Sequence, residues 1–368
     1  MRFPEFDGEW EKCSLGEIGH TSIGLTYSPA DVVKEDGIIV LRSSNIQDGE
    51  IDYKDLVRVN KKIKDSLFTK KDDILICARN GSPRLIGKNA LISDVDAGHS
   101  YGAFMMVYRS EENPFVRQLL CTKRYFAQVG ENLGARINQI TTSDMNSFEF
   151  FFPQSKEERN KIALFLRIID ERISTQKKII EKYESLIRGL YHSVFNQPAS
   201  TLQLKDVVSV VKGQQVNGEE LLEYGKYYVM NGGTEPSGYL DVCNTPANTI
   251  SISEGGNSCG YVQYNTEPFW SGGHCYSLIQ KEQSVNYQYL YHFLKYKERN
   301  IMALRIGSGL PNVQKKDLER FEIRVLPTKQ QNRVAEILED VSAKCDLEKR
   351  ILQGWQCQKS YLLHNLFI

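Results

Sequence analysis

The sequence predicts an α+β protein: two tandem mixed α/β domains separated by an antiparallel coiled coil of two long helices, arranged as a pseudo-two-fold repeat. Three observations predict it. The 368 residues exceed what one hydrophobic core usually serves. The chain resembles itself at a period of about 172 residues, a spacing that decides architecture before any local signal does. Each repeat ends in a long heptad-spaced segment.

The repeat is legible in two places. FEFFFPQSKEERNKIALFL (Phe148 to Leu166) returns as FEIRVLPTKQQNRVAEIL (Phe321 to Leu338). GLYHSVF (Gly189 to Phe195) returns as YLLHNLF (Tyr361 to Phe367), which sets His192 against His364. More faintly, GEID (Gly49 to Asp52) answers GYLD (Gly238 to Asp241).

In the first domain, short β-type runs broken by Gly, Asn and Ser predict strands at Ile38 to Leu41, Ile74 to Cys77, Ala90 to Ile92 and Phe104 to Tyr108, then a helix from Pro114 to Gln128. The central helix follows. Its positions Ile162, Leu166, Ile169, Ile173, Gln176, Ile180, Tyr183, Ile187, Leu190 and Val194 alternate steps of four and three and are apolar except Gln176. The second domain repeats the order: strands at Tyr227 to Met230, Thr249 to Ile252, Tyr261 to Tyr264 and Cys275 to Ile279, then a helix from Asn286 to Arg299. The last helix carries the same seam as Val334, Leu338, Val341, Cys345, Glu348, Leu352, Trp355, Lys359, Leu362 and Leu366. Two seams of equal length in one chain predict that each is the other's partner, with Gln176 and Glu348 meeting as a polar layer that fixes register.

Composition narrows the function. With 41% hydrophobic and 25% charged residues the chain is neither disordered nor membrane-embedded. No apolar run reaches the roughly 20 residues of a membrane span, and the opening MRFPEFDGEW is not a signal peptide, so a cytoplasmic protein with no membrane partner is expected. The eight cysteines form no C-x-x-C pair and read as reduced, mostly buried residues, with no metal site. Two catalytic motifs are missing: there is no H-E-x-x-H and no Glu-x-Lys tripeptide. His274 and Cys275 are neighbours on a strand and would face opposite ways. The glycine-rich loops ARNGSPRLIG (Ala78 to Gly87) and SEGGNSCG (Ser253 to Gly260) match neither nucleotide-binding pattern, so no cofactor is expected. Binding without chemistry fits better than an enzyme.

Forty-six basic residues balance forty-six acidic ones, which disfavours coating nucleic acid by bulk charge. Inside that neutral total, Lys54 to Lys88 holds ten basic residues against four acidic ones. A smaller cluster comprises Lys295, Lys297, Arg299, Arg305, Lys315 and Lys316. Both flank loops rich in Asn, Gln, Ser, Tyr and Arg, side chains that contact phosphates and base edges.

Two variable globular domains, each followed by a helix entered through a proline and a KEERNKIA-like or KQQNRVA-like start, resemble the specificity subunit of Type I restriction-modification systems. RFPEFDGEWEKCSLGEI and VMNGGTEPSGYLD are also similar to the start and early loop of that family's target-recognition domains. The resemblance covers essentially the whole chain. It implies target-recognition domains at 1–155 and 197–328 and spacer helices at 156–196 and 329–368. It further implies that each domain reads one half of a bipartite site on double-stranded DNA. Two methyltransferase subunits would dock on the helices and supply S-adenosylmethionine chemistry, and motor-nuclease subunits would join through the complex. The helices, about 60 Å each at 1.5 Å per residue, would then act as a ruler for half-site spacing.

The candidate base and phosphate contacts are loop residues: Arg42, Ser43, Asn45, Arg79, Asn80, Ser82, Arg84 and Lys88 in the first domain, and Gln214, Gln215, Asn231, Thr234, Asn257 and Ser258 in the second. Arg136 to Gln139, including Asn138, and Arg305 with Ser308 to Asn312 stand just upstream of the helices. Two other classes stay open: the specificity subunit of a fused methylase-nuclease system, and a stand-alone sequence-specific DNA-binding regulator.

Overall fold

The heptad seams become two uninterrupted helices, Lys156–Phe195 and Thr328–Leu366. Every seam position is buried or half-buried, as apolar residues at a 3.5-residue period must be when they face a partner helix. The structure, a computed structural model, describes residues 2–133, 138–307, 309 and 311–367. It divides into two units: Met1–Thr175 with Leu352–Ile368, and Gln176–Ile351. Each unit thus owns the beginning of one long helix and the end of the other.

In unit 1, Ile162, Leu166 and Ile169 share a core with Leu362 and Leu366, and Asp170 pairs with Lys359 at 2.5 Å. In unit 2, Val194 and Phe195 share a core with Val334, Ala335 and Leu338, while farther along Glu184 pairs with Lys349 at 3.0 Å. The Gln176 amide donates to the Glu348 carbonyl at 3.1 Å and also to its carboxylate. Within each unit residue numbers climb on one helix as they fall on the other, so the segments run antiparallel. Both polar interruptions of the second seam, Glu348 and Lys359, therefore have a partner on the facing helix.

The units repeat one plan. A four-stranded antiparallel sheet orders His20–Ile23, Met105–Arg109, Ile74–Cys77 and Asn89–Leu91 in unit 1. Its counterpart orders Val208–Lys212, Cys275–Gln280, Thr249–Ser253 and Val262–Asn265 in unit 2. The inner strands ILIC and TISIS are both buried along their whole length; ILIC reads as an unbroken apolar run, whereas TISIS alternates small polar residues with isoleucine. A second sheet contains Ile38–Leu41 parallel to Ser100–Tyr101, answered by Tyr227–Met230 parallel to Trp270–Ser271. A third, two-stranded pairing closes each unit: Trp10–Ser14 on Glu149–Pro153, and Ser200–Gln203 on Glu322–Val325.

Where the first strand of each central sheet leaves for the second sheet, the backbone runs against a neighbouring chain segment. A Cβ at Gly24 would lie 2.3 Å from the Tyr101 and Gly102 carbonyl oxygens, and one at Gly213 would lie 2.2 Å from that of Gly272. Only glycine fits at either crossing.

Several sequence expectations change in detail. The helix expected over Pro114 to Gln128 is two, Asn113–Leu119 and Lys123–Leu133. Thr122 separates them: its hydroxyl donates to the Leu119 carbonyl at 2.7 Å and accepts from the Tyr125 amide at 3.3 Å. The helix expected over Asn286 to Arg299 is likewise Tyr287–Tyr296 and Glu298–Met302, with the Asn286 side chain capping Tyr289 N at 2.9 Å. The strand expected from Phe104 begins at Met105. All eight cysteines are free, but only four are buried; Cys243 and Cys357 are exposed.

Candidate nucleic-acid interface

Both glycine-rich loops are hairpin connections, joining Ile74–Cys77 to Asn89–Leu91 and Thr249–Ser253 to Val262–Asn265. Their roots match bond for bond. Ala78 N donates to Phe104 O at 2.9 Å and Ile140 N to Ala78 O at 2.9 Å; Glu254 N donates to His274 O and Val313 N to Glu254 O, both at 2.8 Å. Gly87 and Gly260 end the loops at φ +82° and +89°. Ala78 thus matches Glu254, and Phe104 matches His274.

In unit 1 the hairpin gathers several of the expected residues. Asn80 donates its amide to Ser43 Oγ at 3.0 Å and accepts from Ser82 N at 3.0 Å. Asn138, at a left-handed φ of 48°, donates to Gly81 O at 3.1 Å. Exposed Arg79 lies with its guanidinium carbon 5.2 Å from the centre of the Phe104 ring. Arg84 is exposed at the hairpin tip, and Lys88 Nζ donates to Gln47 Oε1 at 3.4 Å.

Asn45 stands differently. It is fully buried, accepts from Arg42 N at 2.9 Å and donates to the Asp52 and Asp55 carbonyls at 2.9 and 2.8 Å. Its side chain shapes the loop. Arg42 itself pairs with Asp55 at 2.7 Å. In the basic cluster Lys61 is similarly partnered by Asp31 and Lys71 by Asp94. Surface pairs of this kind hold little energy and are readily exchanged for phosphates.

In unit 2, Asn231 Oδ1 accepts from His274 N at 3.1 Å, and Gln215 lies exposed beside Gly273. Cβ atoms at Gly272 and Gly273 would lie 2.7 Å from Asn231 Oδ1 and 2.2 Å from Gln215 Oε1, so these glycines make room for both amides. Asn312 bridges to Gly255 at the hairpin. Gln214 is exposed and its backbone bridges to Gly272; Thr234, Asn257 and Arg305 are exposed and Ser258 is half-buried, without being drawn into that cluster. Arg136 and Ser308 lie outside the described residues.

Sequence reasoning missed the two residues at the hairpin roots that differ most. Glu254 is buried; its Oε1 accepts from Lys212 Nζ at 2.8 Å and from the Tyr276 hydroxyl at 2.9 Å, and His274 Nδ1 lies 3.9 Å from Oε2. Burial first, and then the bond to Glu254, push the Tyr276 phenol up, so it stays a donor. Phe104 is 58% exposed in unit 1. A glutamate directly before Gly-Gly and a phenylalanine directly after Gly-Ala were the signals available.

Among the described residues no group of His, Cys, Asp and Glu is arranged to hold a metal ion, and no helix is long and apolar enough to cross a membrane.

Two matching glycine-rich hairpins on a duplicated α+β plan, each unit clasped by the start of one long helix and the end of the other, define a class of protein. The family description "Type I restriction modification DNA specificity domain" matches residues 7–185 and again 197–354, and the chain belongs to that family. It is 25% identical over 250 residues to a protein of Mycoplasma genitalium described as a putative type I specificity subunit, a match that covers 64% of this chain and 65% of that one. It is 22% identical over 381 residues to the Type I restriction enzyme EcoKI specificity subunit of Escherichia coli, covering 89% and 81%. The crystal structure of a Type I restriction-modification S subunit from M. genitalium has the same fold, with a TM-score of 0.77 at 20% identity, covering 100% of this chain and 99% of that one.

Proposed function

We propose that this chain is the DNA-reading subunit of a Type I restriction-modification complex, itself without catalytic residues, with each unit reading one half of a bipartite site. The observation that carries the reading is the duplication itself: two equivalent hairpins in one chain, the first carrying Arg79, Asn80, Ser82 and Arg84 and the second Asn257 and Ser258, with Asn231 bonded to His274 at its root. Two copies of a reader with different side chains suit a site made of two different halves. Residues 1–155 and 197–328 are the readers, and 156–196 and 329–368 the spacer helices. Two methyltransferase subunits dock on the helices, motor-nuclease subunits join through them, and the assembly works in the cytoplasm.

In the first reader the direct contacts are Arg79, Asn80, Ser82, Arg84 and Ser43, with Arg42, Lys88 and Asn138 beside them; Asn45 supports the loop from below. In the second they are Gln214, Gln215, Asn231, Thr234, Asn257 and Ser258, with Arg305 and Asn312 at the edge. Arginine favours guanine, and asparagine or glutamine favours adenine. The near-neutral chain needs its partners for much of the phosphate contact.

The test is co-expression with the cognate methyltransferase and mapping of methylated adenines. The expected result is a split motif with a fixed gap. Replacing Thr201 to Leu326 by the matching segment of another family member should change one half only. Adding one heptad to each helix should change the gap. Tight binding by this chain alone with no methylation would overturn the reading in favour of a regulator.

A further inference from the structure

We propose that Phe104 is a specificity-determining residue of unit 1 that detects the methyl group of a thymine, with Arg79, stacked on its ring, reading a guanine at the neighbouring base pair. The inference rests on the reading of this hairpin as a DNA contact and goes beyond it by naming the base chemistry.

Phe104 is held where a core phenylalanine would not be. Its backbone sits in the turn from Gly102 to Met105, closed by Met105 N donating to Gly102 O at 2.8 Å. The next residue, Met105, is fully buried in the central sheet, whereas the Phe104 ring is turned out to 58% exposure. Its carbonyl accepts from both Ala78 N and Arg79 N, at 2.9 and 3.0 Å, which ties the turn to the hairpin root. The ring therefore stands on rigid backbone rather than on a free loop, as a discriminating contact requires.

Its surroundings select the ligand. The neighbouring side chains are polar: Asn80 donates to Ser43 Oγ and accepts from Ser82 N, and Arg79 lies across the ring. Those groups match hydrogen-bonding base edges. A phenyl ring best matches the thymine methyl, the one apolar group that projects from a base edge into the major groove, where the other projecting groups donate or accept. Arg79 in turn gains a face to rest on, which orders a flexible side chain in advance and leaves its N–H edge free for guanine O6 and N7. The 5.2 Å between guanidinium and ring centre is compatible with adjacent base pairs, about 3.4 Å apart along one strand. At the matching place unit 2 has His274, a hydrogen-bonding group, so methyl detection belongs to unit 1 alone.

The experiment uses the complete complex with its methyltransferase and DNA carrying the mapped site. Each thymine is replaced in turn by deoxyuridine, which keeps the pairing and removes only the methyl. One substitution, in one half-site, should weaken binding by about fourfold, the value of one buried methyl-sized group. Phe104→Ala should bind the thymine and uracil forms equally, at the weakened level, while Phe104→Leu should keep part of the difference. Arg79→Lys should lose affinity at a G·C pair next to that thymine, and thymines of the other half-site should not respond to either variant.

The inference is overturned if no uracil substitution weakens the wild type, if Phe104→Ala retains the methyl dependence, or if the half-site affected by Arg79→Lys has no A·T pair. Absence of any bipartite motif would instead overturn the parent reading, and this inference with it.

Discussion

At the roots of their two hairpins the units place opposite chemistry in the same backbone frame. Unit 1 has buried Ala78, with Ile23 and Met106 at the strand positions whose counterparts in unit 2 are Lys212 and Tyr276. In unit 2 Glu254 replaces Ala78, and the carboxylate is held by Lys212 and Tyr276. Strand register, the Gly24 and Gly213 crossings and the root hydrogen bonds of Ala78 and Glu254 are the same in both. The fold is thus fixed by backbone pairing and by the glycines that permit it, while the side chains beneath the two hairpins differ as a matched set.

The largest effect should come from breaking such a set. Ala78→Glu would bury a carboxylate in unit 1 where neither Ile23 nor Met106 can donate a hydrogen bond. A loss of about 5 kcal/mol is expected, on the scale of an uncompensated buried polar group. Adding Ile23→Lys and Met106→Tyr should restore most of it. Urea unfolding with hydrogen exchange followed separately in each unit would measure both steps. If the triple variant is no more stable than the single one, the two hairpin roots are not interchangeable frames.

The next comparison is between the ends of the two helices. Phe195 is almost fully buried against Tyr289, Phe293 and Tyr296, with ring centres 5.4 to 5.5 Å away. Its repeat equivalent, Phe367, is half-buried against Trp10 and Phe115 at 6.2 and 5.7 Å. Phe195→Ala should therefore cost unit 2 about 4 kcal/mol, and Phe367→Ala should cost unit 1 about half that. Equal losses would mean that the C-terminal helix end is as firmly seated as the central one.

Much of this architecture is legible in the amino-acid order. The seams, the repeat and eight strands follow from periodicity, because a heptad or a buried run is a local signal. What escapes depends on partners far along the chain. Trp10–Ser14 pairs with Glu149–Pro153 across nearly the whole first domain, and no pattern within WEKCS announces it. Thr122 ends a helix through its own hydroxyl, which the apolar spacing around it conceals. At the candidate interface, polar loop residues are recognisable by type. Phe104 and Glu254 are not, since an apolar ring reads as core and a glutamate as surface until the turn and the burial are seen.

A smaller effect separates the units by pH. His292 is buried, its Nδ1 lies 3.0 Å from the Tyr191 hydroxyl, and its Nε2 has no hydrogen-bond partner among the described residues. Burial lowers its pKa from 6.5 to about 4. The unfolded imidazole binds a proton that the folded one refuses. Unit 2 is therefore at full stability above pH 6.5 and loses it as pH falls toward 4, by about 3 kcal/mol at the limit. Unit 1 has Gln118 at the matching buried position of its helix, a group that does not titrate. His292→Gln should flatten the pH dependence of unit 2 and leave unit 1 unchanged; a slope that survives the substitution would assign it to other groups.

The smallest expected effect tests the polar layer of the coiled coil. Gln176 is buried and donates to Glu348, which is half-buried, so the contact spans the edge of the seam rather than its centre. Replacing both by leucine removes two polar groups that water partly compensates, and stability should rise by about 1 kcal/mol or less. Register is the sensitive readout. With cysteines at 184 and 349, where Glu184 and Lys349 face each other, the parent should crosslink as a single species. The leucine variant should also give crosslinks one helical turn away, because an all-apolar seam penalises slippage less than one containing a specific polar pair. A single crosslinked register in the leucine variant would show that the apolar residues alone set the alignment, and that Gln176 and Glu348 are tolerated there rather than required.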